Sequence, residues 1–285
     1  MTPDPAQLPH LVRLLDDESP TVQAAVWHEL KAYGPALEEE LAGQNLCLEG
    51  RHLDRWRALE GTRHRHALLA QWPSWFELQG EKLQLETAFS LLSDYQGGYA
   101  QPGRLTPLLD ALALEFFETV EISDTYELAR FLFQTKGLGS GSGDYHSPEK
   151  SDLARVIEVR GGNPISLTSI YMLVGHRLGI DIQGCNFPGH FLARTLAGNE
   201  VVLVDCYDGG RFLKAHEFLD LSPSSNAEVR EIVHRPASVE TMLTRVLNNL
   251  IVAYDAVEDP DSSALMRELI RMMRLSALDF DGPRY

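Results

Sequence analysis

Three short stretches of this chain carry residues that could do chemistry together. Arg160-Gly161-Gly162-Asn163-Pro164-Ile165-Ser166-Leu167 opens a helix, Pro188-Gly189-His190-Phe191-Leu192 puts a histidine on one strand, and Val204-Asp205 puts an aspartate on the next. A helix N-terminus followed by a base and a carboxylate is the order in which a cysteine hydrolase presents nucleophile, base and orienter. The helix end lowers a thiol's pKa, the imidazole takes its proton, and the aspartate fixes the imidazole tautomer. Here the helix begins with Pro164 where a thiol would stand. A proline nitrogen is consumed in the peptide bond and cannot attack. Two readings follow: an enzyme with a displaced nucleophile, or a scaffold that keeps base and orienter and uses the groove for binding.

The candidates for a displaced nucleophile are few. Ser166 stands two residues after Pro164, rotated about 200° from it by helix geometry, and a first-turn serine also bonds backbone. Cys185 precedes Asn186-Phe187-Pro188 and could approach from the strand leading to His190, whereas Cys206 directly follows Asp205 and must face the other way. Free cysteines ordinarily behave as small buried hydrophobes. Tyr145, Arg160, Asn163 and Ser166 are the candidate groove-lining residues. A metal held by His190 and Asp205 would need a third protein ligand. Asp144, His146 and His176 are candidates by sequence only, and no metal is expected.

The elements that must position these groups are legible. Asn163 is a favoured N-cap and Pro164 fits the first helical position. Leu167, Ile170, Tyr171, Val174 and Leu178 then form a stripe, His176 and Arg177 occupy the last turn, and Gly179 is placed to cap it. A central buried helix is expected. Alternation puts His190, Leu192 and Arg194 on one face of a strand, and Val201, Leu203 and Asp205 on one face of the next. A turn at Ala197-Gly198 sets His190 directly opposite Asp205, and a turn at Gly198-Asn199 leaves them diagonal on one face. A three-residue loop separates them.

Elsewhere the pattern is helical. Leu8, Leu11, Val12 and Leu15, then Val22, Ala25, Val26 and Leu30, predict a HEAT-like hairpin that Gly34-Pro35 closes, with no second copy at a fixed period. Arg63-His64-Arg65-His66 reads as the solvated face of a polar helix. Helices are predicted over 81–95, 105–120, 124–136, 239–255 and 262–274, with β alternation over 180–214. The run Gly137-Leu-Gly-Ser-Gly-Ser-Gly lacks the Gly-Lys-Ser/Thr that would cradle phosphate. It reads as a flexible loop, and no cofactor is expected.

Together Phe131-Leu-Phe, Gly137-Leu, Asp144-Tyr-His, Ser151-Asp-Leu, the Arg160–Leu167 run, Phe187-Pro-Gly-His-Phe-Leu, Val204-Asp205 and Gly209-Gly210 resemble the SirB-type, transglutaminase-like family. The resemblance runs from about residue 81 to 250, through Val246-Leu-Asn-Asn-Leu250. It implies an α+β fold, mostly helical, with a transglutaminase-like (papain-like) core in which a central helix lies against a small antiparallel sheet. It implies His190 and Asp205 as base and orienter, a nucleophile slot on or beside Pro164, and tetratricopeptide-like C-terminal helices. The expected division is 1–80 helical, 81–235 core and 236–285 C-terminal helices. The expected function is ligand or peptide binding in a former active-site cleft without catalysis. The alternative is a cysteine or serine hydrolase or acyltransferase using Cys185 or Ser166 with His190 and Asp205.

Composition narrows the partners. A formal charge of −16 over 285 residues argues against phosphate-driven nucleic-acid binding. The first residues lack a basic and then apolar leader, and no apolar run approaches the roughly 18 residues of a membrane span. Three cysteines without C-x-x-C spacing make no disulfide framework. A cytoplasmic protein with a protein or peptide partner is expected, and the oligomeric state stays open.

Overall fold

A computed structural model describes residues 4–33, 37–46, 50–142, 146–198, 200–214 and 227–280. The chain divides into two units, Met1–Ala67 and Leu68–Tyr285. The first carries Leu8–Leu14 (α1), Pro20–Ala32 (α2), Leu37–Gly43 (α3) and most of Arg51–Gln71 (α4). Proline in the first turn starts both α1 and α2 without losing a helical hydrogen bond. The apolar stripe Leu8, Leu11, Val12 and Leu15 meets Val26, Leu30, Tyr33, Leu41 and Trp56 in a core of its own. Gly34 and Pro35 lie outside the described residues.

The Arg-His run on α4 is less solvated than its composition suggests. Arg63 lies over the Trp27 ring at 4.2 Å, and Lys31 lies over the same ring at 4.6 Å. Burial, with Lys31 nearby, holds the His64 imidazole below its ordinary pKa. The Arg63 guanidinium covering an indole explains why a charged stretch packs.

The second unit holds Glu81–Gln96 (α5), Leu105–Thr119 (α6), Thr125–Ala129 (α7), Leu153–Val159 (α8) and Pro164–Arg177 (α9). Four strands follow: Gln183–Cys185 (β1), Leu192–Ala197 (β2), Glu200–Asp205 (β3) and Arg211–Lys214 (β4). Ala227–His234 (α10), Val239–Ala256 (α11) and Pro260–Phe280 (α12) complete it. The fold is α+β, mostly helical, with one antiparallel sheet in the order β1-β2-β3-β4.

Every residue of α9 from Pro164 to Gly175 is buried, so the helix has no wet face. The apolar stripe is covered as expected. The opposite side carries Ile165, Ser169, Met172 and Leu173, also buried, and the small Ser166 and Thr168 flank the stripe. At its other end Arg177 bonds both Glu86 oxygens at 2.8 Å and Asp110 at 2.6 Å, tying α9 to α5 and α6. Gly179 takes the left-handed cap at φ 71°.

The single helix predicted over 124–136 is instead α7 continued by a π-turn, Arg130–Thr135. The Lys136 N–H reaches back five residues to the Phe131 carbonyl at 2.7 Å. That wider turn buries Phe131, Leu132 and Phe133 consecutively, which α periodicity alone does not do.

The sheet has two buried faces. Phe191, Ala193, Val204 and Cys206 join the core around α9, while Cys185, Leu192, Val201 and Leu203 join a separate cluster with Val233 of α10. Among the described residues, no helix is long and apolar enough to cross a membrane.

Candidate functional site

The turn that leads into α9 is built from two glycine segments pressed together. Gly139 pairs with Gly161 in a parallel bridge: the Gly139 N–H donates to the Arg160 carbonyl at 3.1 Å, and the Gly162 N–H to the Gly139 carbonyl at 2.9 Å. Gly141 has φ +63°, and a Cβ there would lie 2.6 Å from the Gly161 Cα. Lys150, buried, donates its ammonium protons to the carbonyls of Ser140 at 2.7 Å and Ser142 at 3.0 Å. The segment through Ser142, expected to be flexible, is bonded at several points. Glycine serves close backbone approach here, a use that composition does not distinguish from flexibility. Gly143, Asp144 and Tyr145 lie outside the described residues, so the groove-lining expectation for Tyr145 does too.

Asn163 caps α9. Its Oδ1 accepts the Ser166 N–H at 3.0 Å and its Nδ2 donates to Ser151 Oγ at 2.9 Å. The Ser166 hydroxyl donates to the Lys150 carbonyl at 2.8 Å and sits 2.9 Å from Asn163 Oδ1. Both residues are buried, Ser166 completely. Pro164 has no N–H, and the Ser166 N–H is taken by the cap, so the positive end of α9 is largely satisfied internally. Arg160, the residue before the glycines, adopts the left-handed conformation at φ 61°. Its side chain is exposed and makes no ion pair or hydrogen bond among the described residues.

The histidine and the aspartate do meet. His190 Nε2 lies 2.9 Å from Asp205 Oδ1. The β2–β3 register pairs Ala193 with Val204 and Ala197 with Glu200, which leaves Gly198-Asn199 between the strands and sets the two residues diagonally. Asp205 shares the face of Leu203 and Val201, as alternation predicts; Val204 and Cys206 share the face that packs on α9. His190 departs from expectation, because β2 begins at Leu192 and the histidine occupies the preceding turn. Gly189 at φ 75° and a bond from the His190 N–H to the Phe187 carbonyl at 3.2 Å hold it there.

The same Asp205 oxygen also accepts the N–H groups of Tyr207 and Asp208, each at 3.1 Å. Burial pushes the Asp205 carboxyl up. The imidazole's hydrogen bond and charge, with the two amides, more than offset this and hold it below the usual carboxylate range. With Nε2–H donating to Asp205, Nδ1 of a neutral imidazole is a lone-pair acceptor on a side chain one-third exposed. No hydrogen bond joins the pair to Asn163 or Ser166 among the described residues.

Neither described cysteine is poised to react. Cys185 is fully buried behind the sheet, its Sγ 3.6 Å from the Ile232 carbonyl, and burial pushes its thiol up to about 11. Cys206 is buried in the core around α9 and burial pushes it to about 12. Such thiols hold roughly one part in ten thousand or less as thiolate at neutral pH. Cys47 lies outside the described residues. His146 and His176 join no cluster of three or more metal-capable side chains among the described residues.

Two contributors were not visible in the sequence. The Lys150 ammonium organises the glycine segment, and Arg245 of α11 donates to Asn186 Oδ1 at 2.6 Å and to the Phe187 carbonyl at 3.2 Å, bracing the loop before His190. Arg245 directly precedes the Val246–Leu250 run, and that adjacency was the available signal.

Residues 104–248, just over half of the 285-residue chain, match the family model described as transglutaminase-like superfamily. That span contains the α9 cap, His190 and Asp205. Among curated proteins, a UPF0162 protein of Xylella fastidiosa strain 9a5c is 39% identical over 131 residues, 44% of this chain and 47% of the relative. A UPF0162 protein of the Temecula1 strain is 37% identical over 141 residues, 47% of this chain and 50% of the relative. A shorter match reaches F-box only protein 21 of Mus musculus, 35% identical over 65 residues, 23% of this chain and 10% of that protein. The chain spans about half the length of the UPF0162 relatives. No solved structure matches it.

Proposed function

This chain belongs to the transglutaminase-like superfamily, and from that premise we propose that it is a non-catalytic member that binds a peptide or small polar ligand beside the His190–Asp205 pair. The observation that carries the reading is the first turn of α9. The position expected to bear a nucleophile is Pro164, and the candidate hydroxyl two residues on, Ser166, is fully buried and committed to Lys150 and Asn163. The described thiols are buried and held protonated at neutral pH. With no such group positioned for activation among the described residues, the imidazole offers recognition instead of proton transfer. Its Nε2 edge is fixed by Asp205, and its other edge is a pre-oriented hydrogen-bonding group, the kind of convergent polar atom that orients a ligand. A cytoplasmic setting, a protein or peptide partner and the SirB-type branch of the family belong to the same proposal. They rest on composition and on the motifs around Asn163 and His190.

The test pairs activity with binding. Glutamine-containing peptides incubated with an amine donor should release no ammonia above the level seen with His190→Ala, while a peptide panel should yield binders whose affinity falls in His190→Ala at a temperature where both proteins are fully folded. Hydrolysis or transamidation that His190→Ala abolishes would overturn the reading.

A further inference from the structure

A polar concavity lies along the C-terminal helices. Between α11 and the latter part of α12, with Asn186 at one wall, opens a groove of about 570 Å³. Its wall includes Asn248, Asn249, Arg245, Arg274 and Glu240, and neither His190 nor Asp205 lines it. Two guanidinium groups face one carboxylate, a positive balance in a chain of net charge −16.

The two arginines differ in a way that suits recognition. Arg267 and Arg271, also on α12, are paired with Asp255 and Glu268. Arg274 is exposed and makes no ion pair or hydrogen bond among the described residues; neither do the side chains of Asn248 and Asn249. Arg245 is braced in advance by its bonds to Asn186 Oδ1 and the Phe187 carbonyl, with its guanidinium 5.7 Å from the Phe191 ring. The Phe187 carbonyl also accepts the His190 N–H at 3.2 Å. One carbonyl therefore connects the groove to the histidine turn.

We propose that this groove binds a polar ligand carrying an oxyanion, a carboxylate or a phosphate. Arg274 grips the anion, the two asparagine amides align its neutral groups, and Arg245 passes occupancy to the His190 turn. A guanidinium presents paired donors that match the oxygens of both anions. Neighbouring amides both donate and accept, matching amide or hydroxyl groups beside such an anion. An apolar ligand would leave these groups without partners. The volume lies within the roughly 300–1,000 Å³ of small-ligand sites. The proposal stands on the groove's own residues and holds whether or not His190 recognises anything.

The isotope-labelled 285-residue chain titrated separately with N-acetyl-aspartate and with inorganic phosphate tests it. With at least one of them, saturable shifts are expected in the Asn248 and Asn249 side-chain amides and in the Phe187 and His190 backbone amides. Arg274→Gln should weaken binding by roughly tenfold or more, and Arg267→Gln should leave it unchanged. A response to one probe alone identifies the carboxylate or the phosphate as the ligand group. His190→Ala should still bind in the groove, which separates this inference from the function proposed above. Absence of saturable shifts with both probes at millimolar concentration, or equal weakening by the two arginine substitutions, would overturn it.

Discussion

Asp205 is held by three donors through one oxygen: the His190 ring at 2.9 Å and two amides at 3.1 Å. Burial raises its pKa, the donors lower it further than burial raises it, and the folded value falls below the ordinary 3.8. A carboxyl that releases its proton more readily in the fold stabilises the fold above its unfolded pKa. That contribution is lost as pH falls through the folded value. Asp205→Asn is therefore expected to lower the unfolding free energy by about 1–3 kcal/mol at neutral pH. The deficit should shrink once the pH drops below the unfolded carboxylate value of about 3.9. Urea titrations of both proteins across this range check it, and a deficit that stays constant with pH would mean that shape, not charge, holds the pair. The face of Asp205 was legible from alternation, whereas His190 reaches it from the turn before β2. The strand register was not legible, because Ala197-Gly198 and Gly198-Asn199 are both plausible turns, and only backbone pairing of Ala197 with Glu200 decides.

Among the elements, α9 was the most legible because Asn163-Pro164 and the Leu167–Leu178 stripe are local signals. What covers it was not, because the glycine segment that buttresses its start is recruited from before α8. A glycine that lets two backbones touch and one that lets a loop move look identical in a sequence. Substitution separates them. Gly141→Ala must place its Cβ 2.6 Å from the Gly161 Cα at a positive φ, so a loss of about 1–3 kcal/mol is expected. A flexible loop would tolerate the change or gain slightly from it. Asn163→Ala removes the cap and leaves Ser151 without its donor, for an expected loss of about 1–2 kcal/mol. Chemical denaturation of each variant reads both numbers. The π-turn at Arg130–Thr135 has a similar explanation: three successive buried aromatic or aliphatic residues break α periodicity, and only the packing partners show how the chain accommodates them.

The second unit as a whole contains two apolar clusters of unequal size on opposite faces of one sheet, and each holds a thiol. Cys206 lies in the large core with α9, while Cys185 lies in a cluster of five buried residues closed by Val233 of α10. Alkylation of either needs an opening that exposes it, and opening free energies grow with the apolar surface that must separate. Displacing α10 from the outer face exposes Cys185 without disturbing the helical core, whereas Cys206 is reached only when α9 and the sheet part. Pulsed alkylation read by mass spectrometry should therefore modify Cys185 at denaturant concentrations where Cys206 is still protected. Cys206 protection should follow the global unfolding curve. The pH dependence identifies the reacting state. If opening precedes reaction, both rates should level off near the exposed-thiol pKa of about 8.5 instead of climbing toward the values near 11 and 12 that burial sets in the fold. Labelling of Cys185 in native buffer that ignores denaturant and slows in His190→Ala would place a competent thiol beside the imidazole, and the non-catalytic reading would fall with it.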